Sequence, residues 1–302
     1  MSMARKLSKF LPAGRREQLR QKWHRWQADR RYFQSGGTFS HDVILQCDIA
    51  EKTISVNGRS LRVSGTVRSE RERKRWIGFA EDKNDFCVDW YGQLSTKSML
   101  WDIGSANGLE GFLAWQASGC KVVFFEPFTP SIESILKTGS WLARKYGRDT
   151  LFGASGDIEV VQAGVAPVSK YDRIETHGLP VAGTTNNSLA DSKDLYCYGG
   201  RQGVKSSVCQ WLPFVALDDM VALHGFSLPT HMKIDVDGLE LGVLEGAVDI
   251  LKSGSIESLV VEVNGRNREK VPEFLERYGY HKTSEYRHIT GEFYTADYLF
   301  ER

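Results

Sequence analysis

The stretch Trp101-Asp102-Ile103-Gly104-Ser105-Ala106-Asn107-Gly108 joins the end of an apolar run to a turn that contains two glycines. This pattern predicts a buried strand over residues 99–103, a sharp turn, and a helix over residues 109–118. Gly104 and Gly108 lack a Cβ atom, so the backbone can turn sharply there and approach a ligand closely. A strand, a glycine turn and a helix in this order are typical of α/β folds that bind nucleotide cofactors.

The remainder of the chain continues the alternation of strands and helices. Further strands are predicted at residues 121–125, 158–162, 232–236, 259–263 and 293–300, and further helices at residues 130–146, 240–252 and 269–278. Repeated βα units of this size predict a Rossmann-like, doubly wound α/β fold, with a mostly parallel sheet and an antiparallel C-terminal strand. We expect the binding site at the carboxyl ends of the strands.

Three parts are expected along the chain. Residues 1–35 are predicted to form a basic helical extension, residues 36–80 a small β-containing element, and residues 81–302 the α/β domain. In the second part, Asn57-Gly58 lies between two alternating segments, which predicts a β-hairpin with a tight turn. In the third part, a long insert at residues 166–210 separates two predicted strands, and we interpret it as a substrate lid.

The charge of the chain is unevenly distributed, although the net charge is only +1. The first 31 residues hold ten Lys or Arg and only two acidic residues. This extension could contact an anionic membrane surface, grip nucleic acid, or pack its tryptophans on the main domain as a solvated helix. We favour the last of these interpretations.

The composition is that of an ordinary soluble globular protein, with 41% hydrophobic and 25% charged residues. No run of 18 apolar residues predicts a membrane span, and the basic N terminus lacks the apolar core of a secretory signal. Five cysteines without a C-x-x-C pair fit a reducing compartment. We therefore expect a cytoplasmic location, with peripheral contact to the inner membrane face as an alternative role of the extension.

Two acids follow successive predicted strands. Asp102 precedes the glycine turn, where a carboxylate can hold a cationic amino group, and Glu126 ends the next strand, where a carboxylate can accept hydrogen bonds from ribose hydroxyls. An acid at position 102 would repel a pyrophosphate but attract the ammonium of a methionine moiety, which favours S-adenosylmethionine over a dinucleotide. The predicted cofactor-binding residues are Asp102, Gly104, Ser105, Asn107, Gly108, Glu126, Pro127, Phe128 and Gln162.

A third informative segment is Lys233-Ile234-Asp235-Val236-Asp237-Gly238-Leu239-Glu240. Shortly after it comes the segment Val243-Leu244-Glu245-Gly246-Ala247. Together with the glycine turn, the Phe125-Glu126-Pro127 strand end and the Leu217-Asp218-Asp219-Met220 lead-in, this segment resembles the FkbM family of methyltransferases. The resemblance covers about residue 97 to the C terminus. The asparagine of the glycine turn stands one place later than in the family pattern, while the glycine spacing is kept.

The resemblance implies a class I, Rossmann-like methyltransferase that uses S-adenosylmethionine. Members of the family typically methylate hydroxyl oxygens on sugars, glycans or other small molecules, so we expect such an acceptor and no nucleic acid. A nucleic-acid methyltransferase that grips its substrate with the basic extension is one alternative. A catalytically silent cofactor-binding module is another, and a nicotinamide-dependent oxidoreductase is disfavoured because its glycine spacing is absent.

A hydroxyl is a weak nucleophile, so methyl transfer to it benefits from a positioned base. Asp235, Asp237 and His231 lie near the predicted end of the fourth strand of the domain and are the candidate catalytic residues. Asp235 could instead hold the methionine moiety, while Asp237 and Glu240 could cap the following helix. The two aspartates and Glu262 could also gather a divalent ion, although no metal site is predicted.

Overall fold

The structure, a computed structural model, describes residues 48–67, 72–73, 76, 85–148, 150–153, 156–177, 187–189, 206–265, 267–288 and 295–302. All of them belong to one compact unit, Cys47–Arg302. The predicted basic extension lies outside the described residues, so its helix and its membrane contact stay predictions. Within the described part of the chain, no helix is both long enough and apolar enough to cross a membrane.

The elements alternate along the chain much as the sequence predicts. In chain order they are β1 (Asp48–Val56), β2 (Arg59–Val67), α1 (Asp85–Gln93), β3 (Met99–Ile103), α2 (Leu109–Ser118), β4 (Lys121–Phe125), α3 (Thr129–Lys145), β5 (Ile158–Val161), β6 (Gly164–Val165), β7 (Lys170–His177), β8 (Asn187–Leu189), β9 (Ser206–Val215), α4 (Leu217–Ala222), β10 (His231–Ile234), α5 (Glu240–Glu245), α6 (Val248–Ser253), β11 (Ser258–Asn264), α7 (Lys270–Glu276), β12 (His281–His288) and β13 (Thr295–Glu301).

The main sheet has seven strands in the order β12-β13-β11-β10-β3-β4-β5. Five of these strands are parallel, from β11 to β5, whereas β13 runs antiparallel to β11 and to β12. The chain builds outward from β3 to β5, then returns to β10 on the other side of β3. The predicted Rossmann-like, doubly wound fold is thereby confirmed, and the point where the strand order reverses lies between β3 and β10.

Side chains of the central strand β3 alternate between two apolar layers. Leu100 belongs to the core on the face that α1, α2 and α3 cover, whereas Trp101 and Ile103 belong to the core under α4 to α7. Successive strand residues point to opposite faces, so Asp102 points to the same face as Leu100. This alternation aims a carboxylate at the first turn of α2.

The predicted hairpin is confirmed, with Asn57 (φ 49°) and Gly58 (φ 73°) in the left-handed region that such tight turns require. Its second strand lies against two helices of the main unit. The Ser64 amide donates to Gln116 Oε1 on α2 at 3.1 Å. The hydroxyls of Thr66 and Thr138, the latter on α3, are 2.8 Å apart. The hairpin is therefore bound to the outer helical layer.

The structure describes only part of the insert at residues 166–210, so its interpretation as a substrate lid stays a prediction. A second sheet of four strands, in the order β6-β9-β7-β8, includes most of the described part of this insert. Its inner face carries a small apolar core of Ala166, Ile174, Leu212 and Phe214. Strand alternation in 206–215 was a signal for this sheet that the length of the insert obscured. Residues 178–186 and 190–205 lie outside the described residues.

Three element predictions differ from the structure in detail. Strand β10 ends at Ile234, two residues earlier than predicted. The predicted helix over residues 240–252 is divided into α5 and α6, because the carbonyl of Gly246 accepts the amide of Asp218 (2.9 Å) instead of continuing the helix. Strand β12 was not predicted, since its sequence of mostly polar residues contains no apolar run.

Candidate cofactor and active site

The loops after β3 and β10 meet at the reversal point of the sheet. The amide of Asp235 donates to the carbonyl of Ile103 at 3.0 Å, which keeps the two strand ends side by side. Gly104 has a φ of 79°, and a Cβ atom there would lie 1.9 Å from the carbonyl oxygen of Asp235. Only glycine fits this position, because both the backbone conformation and the close approach exclude a side chain.

Asp102 is buried just below this turn, with 1% of its surface exposed. Its Oδ2 accepts the amide of Gly111 at 3.1 Å, while its Oδ1 is buried with no hydrogen-bond partner among the described residues. The pKa of Asp102 is raised to about 7, chiefly by burial; the ammonium of Lys233 lowers it, and the negative charges of Glu110 and Asp235 contribute to the rise. A cationic ligand group would find an unsatisfied carboxylate oxygen here.

Glu126, at the end of β4, joins the two loops that follow β3 and β4. Its Oε2 accepts the amide of Ala106 at 2.7 Å and its Oε1 accepts the amide of Phe128 at 2.8 Å. An oxygen of a carboxylate can accept more than one hydrogen bond. Ala106 has a φ of 49°, an uncommon conformation for a residue with a side chain. The carboxylate of Glu126 holds that strained turn.

All of the other predicted cofactor residues except Gln162 lie in the same two loops. The Ser105 hydroxyl donates to the carbonyls of Asp102 (3.1 Å) and Phe125 (3.0 Å), which fixes the turn. Asn107 is 1% exposed, and its Nδ2 has no hydrogen-bond partner among the described residues. Gly108 (φ 75°) is the residue before α2. The turn thus presents a second unsatisfied buried polar atom close in sequence to Asp102.

Three polar side chains meet at the start of α3, near the end of β5: those of Thr129, Gln162 and Gln210. The side-chain amide of Gln162 donates to the Thr129 hydroxyl at 2.9 Å. The side-chain amide of Gln210, on β9 of the second sheet, donates to the same hydroxyl at 3.1 Å and approaches the carbonyl of Pro127 at 3.4 Å. Gln210 was not predicted from the sequence, because its nearness to Pro127 depends on how the second sheet packs.

Lys233 carries a buried ion-pair cluster that includes one of the candidate bases. Its side chain is 3% exposed, and its ammonium pairs with the carboxylate of Glu110, on α2, and with that of Asp235 at 3.1 Å. Lys233 lies directly beside Asp102 in the parallel register of β10 and β3. Glu110 was not predicted from the sequence; the available signal was Lys233 itself, because a lysine in a buried strand needs a carboxylate partner.

The loop after Asp235 is shaped by a second buried acid. Asp237 and Gly238 have φ values of 51° and 104°, so the chain turns sharply there and the two aspartates do not continue one strand. Glu240 accepts the Gly238 amide at 2.7 Å and the Asn267 side-chain amide at 2.5 Å. Burial raises the pKa of Glu240, while these hydrogen bonds act in the opposite direction. Glu240 therefore orders this loop.

His231 does not lie with the other candidate bases, and this placement is corrected. It is the first residue of β10, roughly 13 Å along the chain from Asp235, at the amino end of the strand. Its ring packs on Trp90 at a centroid distance of 6.0 Å, and its Nδ1 is 2.8 Å from the Thr230 hydroxyl. Burial lowers its pKa. These contacts indicate that the side chain of His231 has a structural role.

A metal-binding group would need three or more His, Cys, Asp or Glu side chains that converge. None is found among the described residues. Asp235, Asp237 and Glu262 do not form such a group, although all three are described. The structure instead brings the two acids at the ends of β3 and β4, the glycine turn and Asp235 to one edge of the sheet.

A protein-family model described as "Methyltransferase FkbM domain" matches residues 102–282, which is more than half of the chain. The matched range begins at Asp102 and includes the turn, Glu126 and the whole loop after β10. A comparison with curated protein sequences gives no match.

Solved structures of several methyltransferases are similar to this chain at low sequence identity. Methyltransferase FkbM from Methylobacillus flagellatus KT is 15% identical over 77% of this chain and 59% of that chain, with a TM-score of 0.44. Magnesium protoporphyrin IX methyltransferase from Synechocystis PCC 6803 is 12% identical over 72% of this chain and 77% of that chain, with a TM-score of 0.41. TrmK from M. capricolum is 10% identical over 73% and 69%, with a TM-score of 0.40. The chain spans 59% of the length of the first of these structures.

Proposed function

We propose, because the chain belongs to the FkbM methyltransferase family, that it transfers the methyl group of S-adenosylmethionine to a hydroxyl oxygen of a sugar, a glycan or another small molecule. The observation that carries the proposal is a pair of buried acids, Asp102 and Glu126, at the ends of adjacent strands beside the reversal point of the sheet. Ligands of doubly wound folds bind at that point.

The residues at this edge fit S-adenosylmethionine. The unsatisfied Oδ1 of Asp102 suits the ammonium group of its methionine moiety, and the unsatisfied Nδ2 of Asn107 suits an acceptor such as a carboxylate. Glu126 is a carboxylate acceptor at the end of β4, the position where ribose hydroxyls donate in such folds, and Gln162 with Gln210 supplies amide groups at Thr129. A buried acid in place of an anion-binding turn is a poor partner for pyrophosphate.

Each residue has a separate task in the proposed reaction. When bound, the cofactor supplies an electrophilic methyl group on a sulfonium. Asp102 and Glu126 bind and orient the cofactor, and the fixed turn at Gly104 keeps their spacing. Asp235 accepts the proton of the acceptor hydroxyl as the new bond to oxygen forms. The acids at this strand end support a hydroxyl acceptor, since an oxygen nucleophile must lose a proton.

Cofactor identity is tested by calorimetric titration of the full chain with S-adenosylhomocysteine at pH 8. We expect micromolar binding, no binding of NADH, and a loss of about tenfold in affinity (about 1.4 kcal/mol) for Glu126→Gln. The reason is that a neutral amide accepts ribose hydroxyls less strongly and satisfies only one of the two loop amides. Glu159→Gln, the same substitution at an exposed position of the neighbouring strand β5, should leave the affinity unchanged.

Binding of NADH, or no binding of S-adenosylhomocysteine by folded protein, would contradict the proposed cofactor. An equal loss of affinity in Glu159→Gln would show that the effect at position 126 is not local. Thermal unfolding of each variant, recorded beside the titrations, distinguishes a lost ligand contact from a partly unfolded sample.

The acceptor class is tested with methyl-labelled S-adenosylmethionine and separated small-molecule, glycan and RNA fractions of a cell extract. We expect label in the small-molecule or glycan fraction, in a linkage that withstands mild alkali, because methyl ethers resist the hydrolysis that removes methyl esters. Asp235→Asn protein serves as the matched control and should incorporate little label. Label in RNA, or label that alkali releases, would contradict methylation of a hydroxyl on a small molecule or glycan.

A further inference from the structure

A compact group of buried charges lies behind the cofactor carboxylate; its members are Asp102, Glu110, Lys233 and Asp235, and we call it the Lys233 cluster. The side chains of Lys233, Glu110 and Asp235 are 3%, 11% and 18% exposed. Two of the carboxylates therefore pair directly with the one ammonium, and the charges of all three groups act on Asp102. Charges this close together interact strongly in a low-dielectric interior.

The sheet and one helix turn bring this cluster together. Asp102 and Lys233 are direct partners in the parallel register of β3 and β10, so their side chains point to the same face. The first turn of α2 lies over that face: its Glu110 pairs with Lys233, and the amide of the next residue, Gly111, holds Asp102 Oδ2. One helical turn thus contacts both the cofactor acid and the lysine.

Lys233 also reaches the opposite side of the site. Its ammonium is 3.1 Å from Oδ2 of Asp235, which leaves the other oxygen of that carboxylate for the proton of an acceptor. The backbone of Asp235 is fixed independently, through its hydrogen bond to Ile103. With backbone and one carboxylate oxygen held, the free oxygen of Asp235 has a defined direction.

We propose that Glu110 and Lys233 are positioning residues that couple the two halves of the site: Lys233 orients Asp235 for the acceptor, and Glu110 anchors Lys233 behind the cofactor acid Asp102. The proposal rests on the proposed function and deepens it. In the proposed reaction, neither Glu110 nor Lys233 touches the cofactor or the acceptor. Both act through the two acids, so a change in either one alters the charge that Asp102 experiences.

The charged and titratable groups that face Asp102 come from three elements. Glu110 belongs to α2, Lys233 and Asp235 to β10 and the loop after it, and Tyr91 to α1. Burial, followed by the nearby acids, raises the pKa of Tyr91 well above its usual range, so the phenol stays neutral near pH 7. The charges that matter for Asp102 near neutral pH are therefore the other members of the Lys233 cluster.

The test is the pH dependence of S-adenosylhomocysteine binding by the full chain, measured by calorimetry from pH 5.5 to 8.5. Glu110→Gln removes a negative charge behind Asp102, so we expect the midpoint of the binding profile to fall by about one pH unit and affinity at pH 6 to rise about fivefold. Lys233→Met removes the positive charge, so we expect the midpoint to rise by about one unit and affinity at pH 7 to fall about fivefold.

Opposite shifts by the two variants are the decisive result, because general damage to the site would weaken binding in both. Glu133→Gln is the control; it breaks the exposed pair with Lys137 on α3 and should leave the profile unchanged. If Lys233→Met fails to fold, the downward shift in Glu110→Gln still decides the matter. Binding with the same midpoint in wild type and Glu110→Gln would overturn the coupling alone. No binding by folded wild type would overturn the proposed function, and the coupling with it.

Discussion

Replacing Asp235 with asparagine is expected to lower kcat for methyl transfer by roughly 10²–10⁴-fold, the usual contribution of a positioned base. The amide keeps the shape of the side chain but cannot accept a proton from the acceptor hydroxyl. The substitution should change the Kd for S-adenosylhomocysteine at pH 8 by less than about threefold, because Asp102 and Glu126 still hold the cofactor. The measurement is the initial rate of S-adenosylhomocysteine formation with the acceptor found by labelling.

Two further variants serve as comparisons for Asp235→Asn. Asp237→Asn distinguishes the two acids of the loop: a loss of kcat as large as that of Asp235→Asn would move the role of base to Asp237, whose backbone turns away after the strand. Asp249→Asn removes an acid that is 83% exposed on α6 and should leave kcat unchanged. A kcat for Asp235→Asn within about threefold of wild type would contradict its role as base.

The second large effect is the pH dependence of cofactor binding through Asp102. Its pKa of about 7 means that this carboxylate is about half protonated near neutral pH when no ligand is bound. The ammonium of S-adenosylhomocysteine is attracted only to the ionised form, so affinity should rise about tenfold from pH 6 to pH 8 and level off above. Calorimetry at fixed ionic strength measures this directly. 5′-Methylthioadenosine, which lacks the ammonium, should bind equally well across the same range.

Asp102→Asn completes this experiment. At pH 8 we expect it to weaken S-adenosylhomocysteine about 10- to 100-fold, the usual value of a hydrogen bond to a charged group, and to abolish the pH dependence. The variant should not be less stable than wild type at pH 8. Because the pKa of Asp102 is higher in the folded than in the unfolded chain, wild type loses stability as pH rises from about 4 to about 7, and a neutral amide avoids that loss.

A flat profile for the wild type would contradict the role of Asp102 as the ammonium partner. An equal pH dependence with 5′-methylthioadenosine would assign the titrating group to another part of the site. Urea unfolding of wild type and Asp102→Asn at pH 5 and pH 8 checks the stability argument, since the difference between the two proteins should be greater at pH 8.

Much of the site could be predicted because its residues lie in short segments that obey local rules. The glycine turn could be predicted because Gly104 and Gly108 directly follow an apolar run; the φ of 79° and the approach of Asp235 are the structural reasons why Gly104 is required there. Asp102 and Glu126 could be predicted because each marks the end of an apolar strand, and parallel strands end at one edge. His231 was wrongly grouped with Asp235 and Asp237, because the predicted strand at residues 232–236 already places it at the amino end, and the true strand begins at that residue.

What the sequence alone determined is the βα alternation, and with it the fold, the edge at which ligand binding is expected, and the two acids at that edge. These follow from side-chain periodicity and turn chemistry, which act over a few residues. Only the tertiary structure decided that Glu110 meets Lys233, that Gln210 reaches Thr129, and that most of the described part of the insert belongs to a second sheet. Such contacts join residues about 80 to 120 positions apart, and no local rule specifies them, because they depend on how α2 and the second sheet pack on the strand ends.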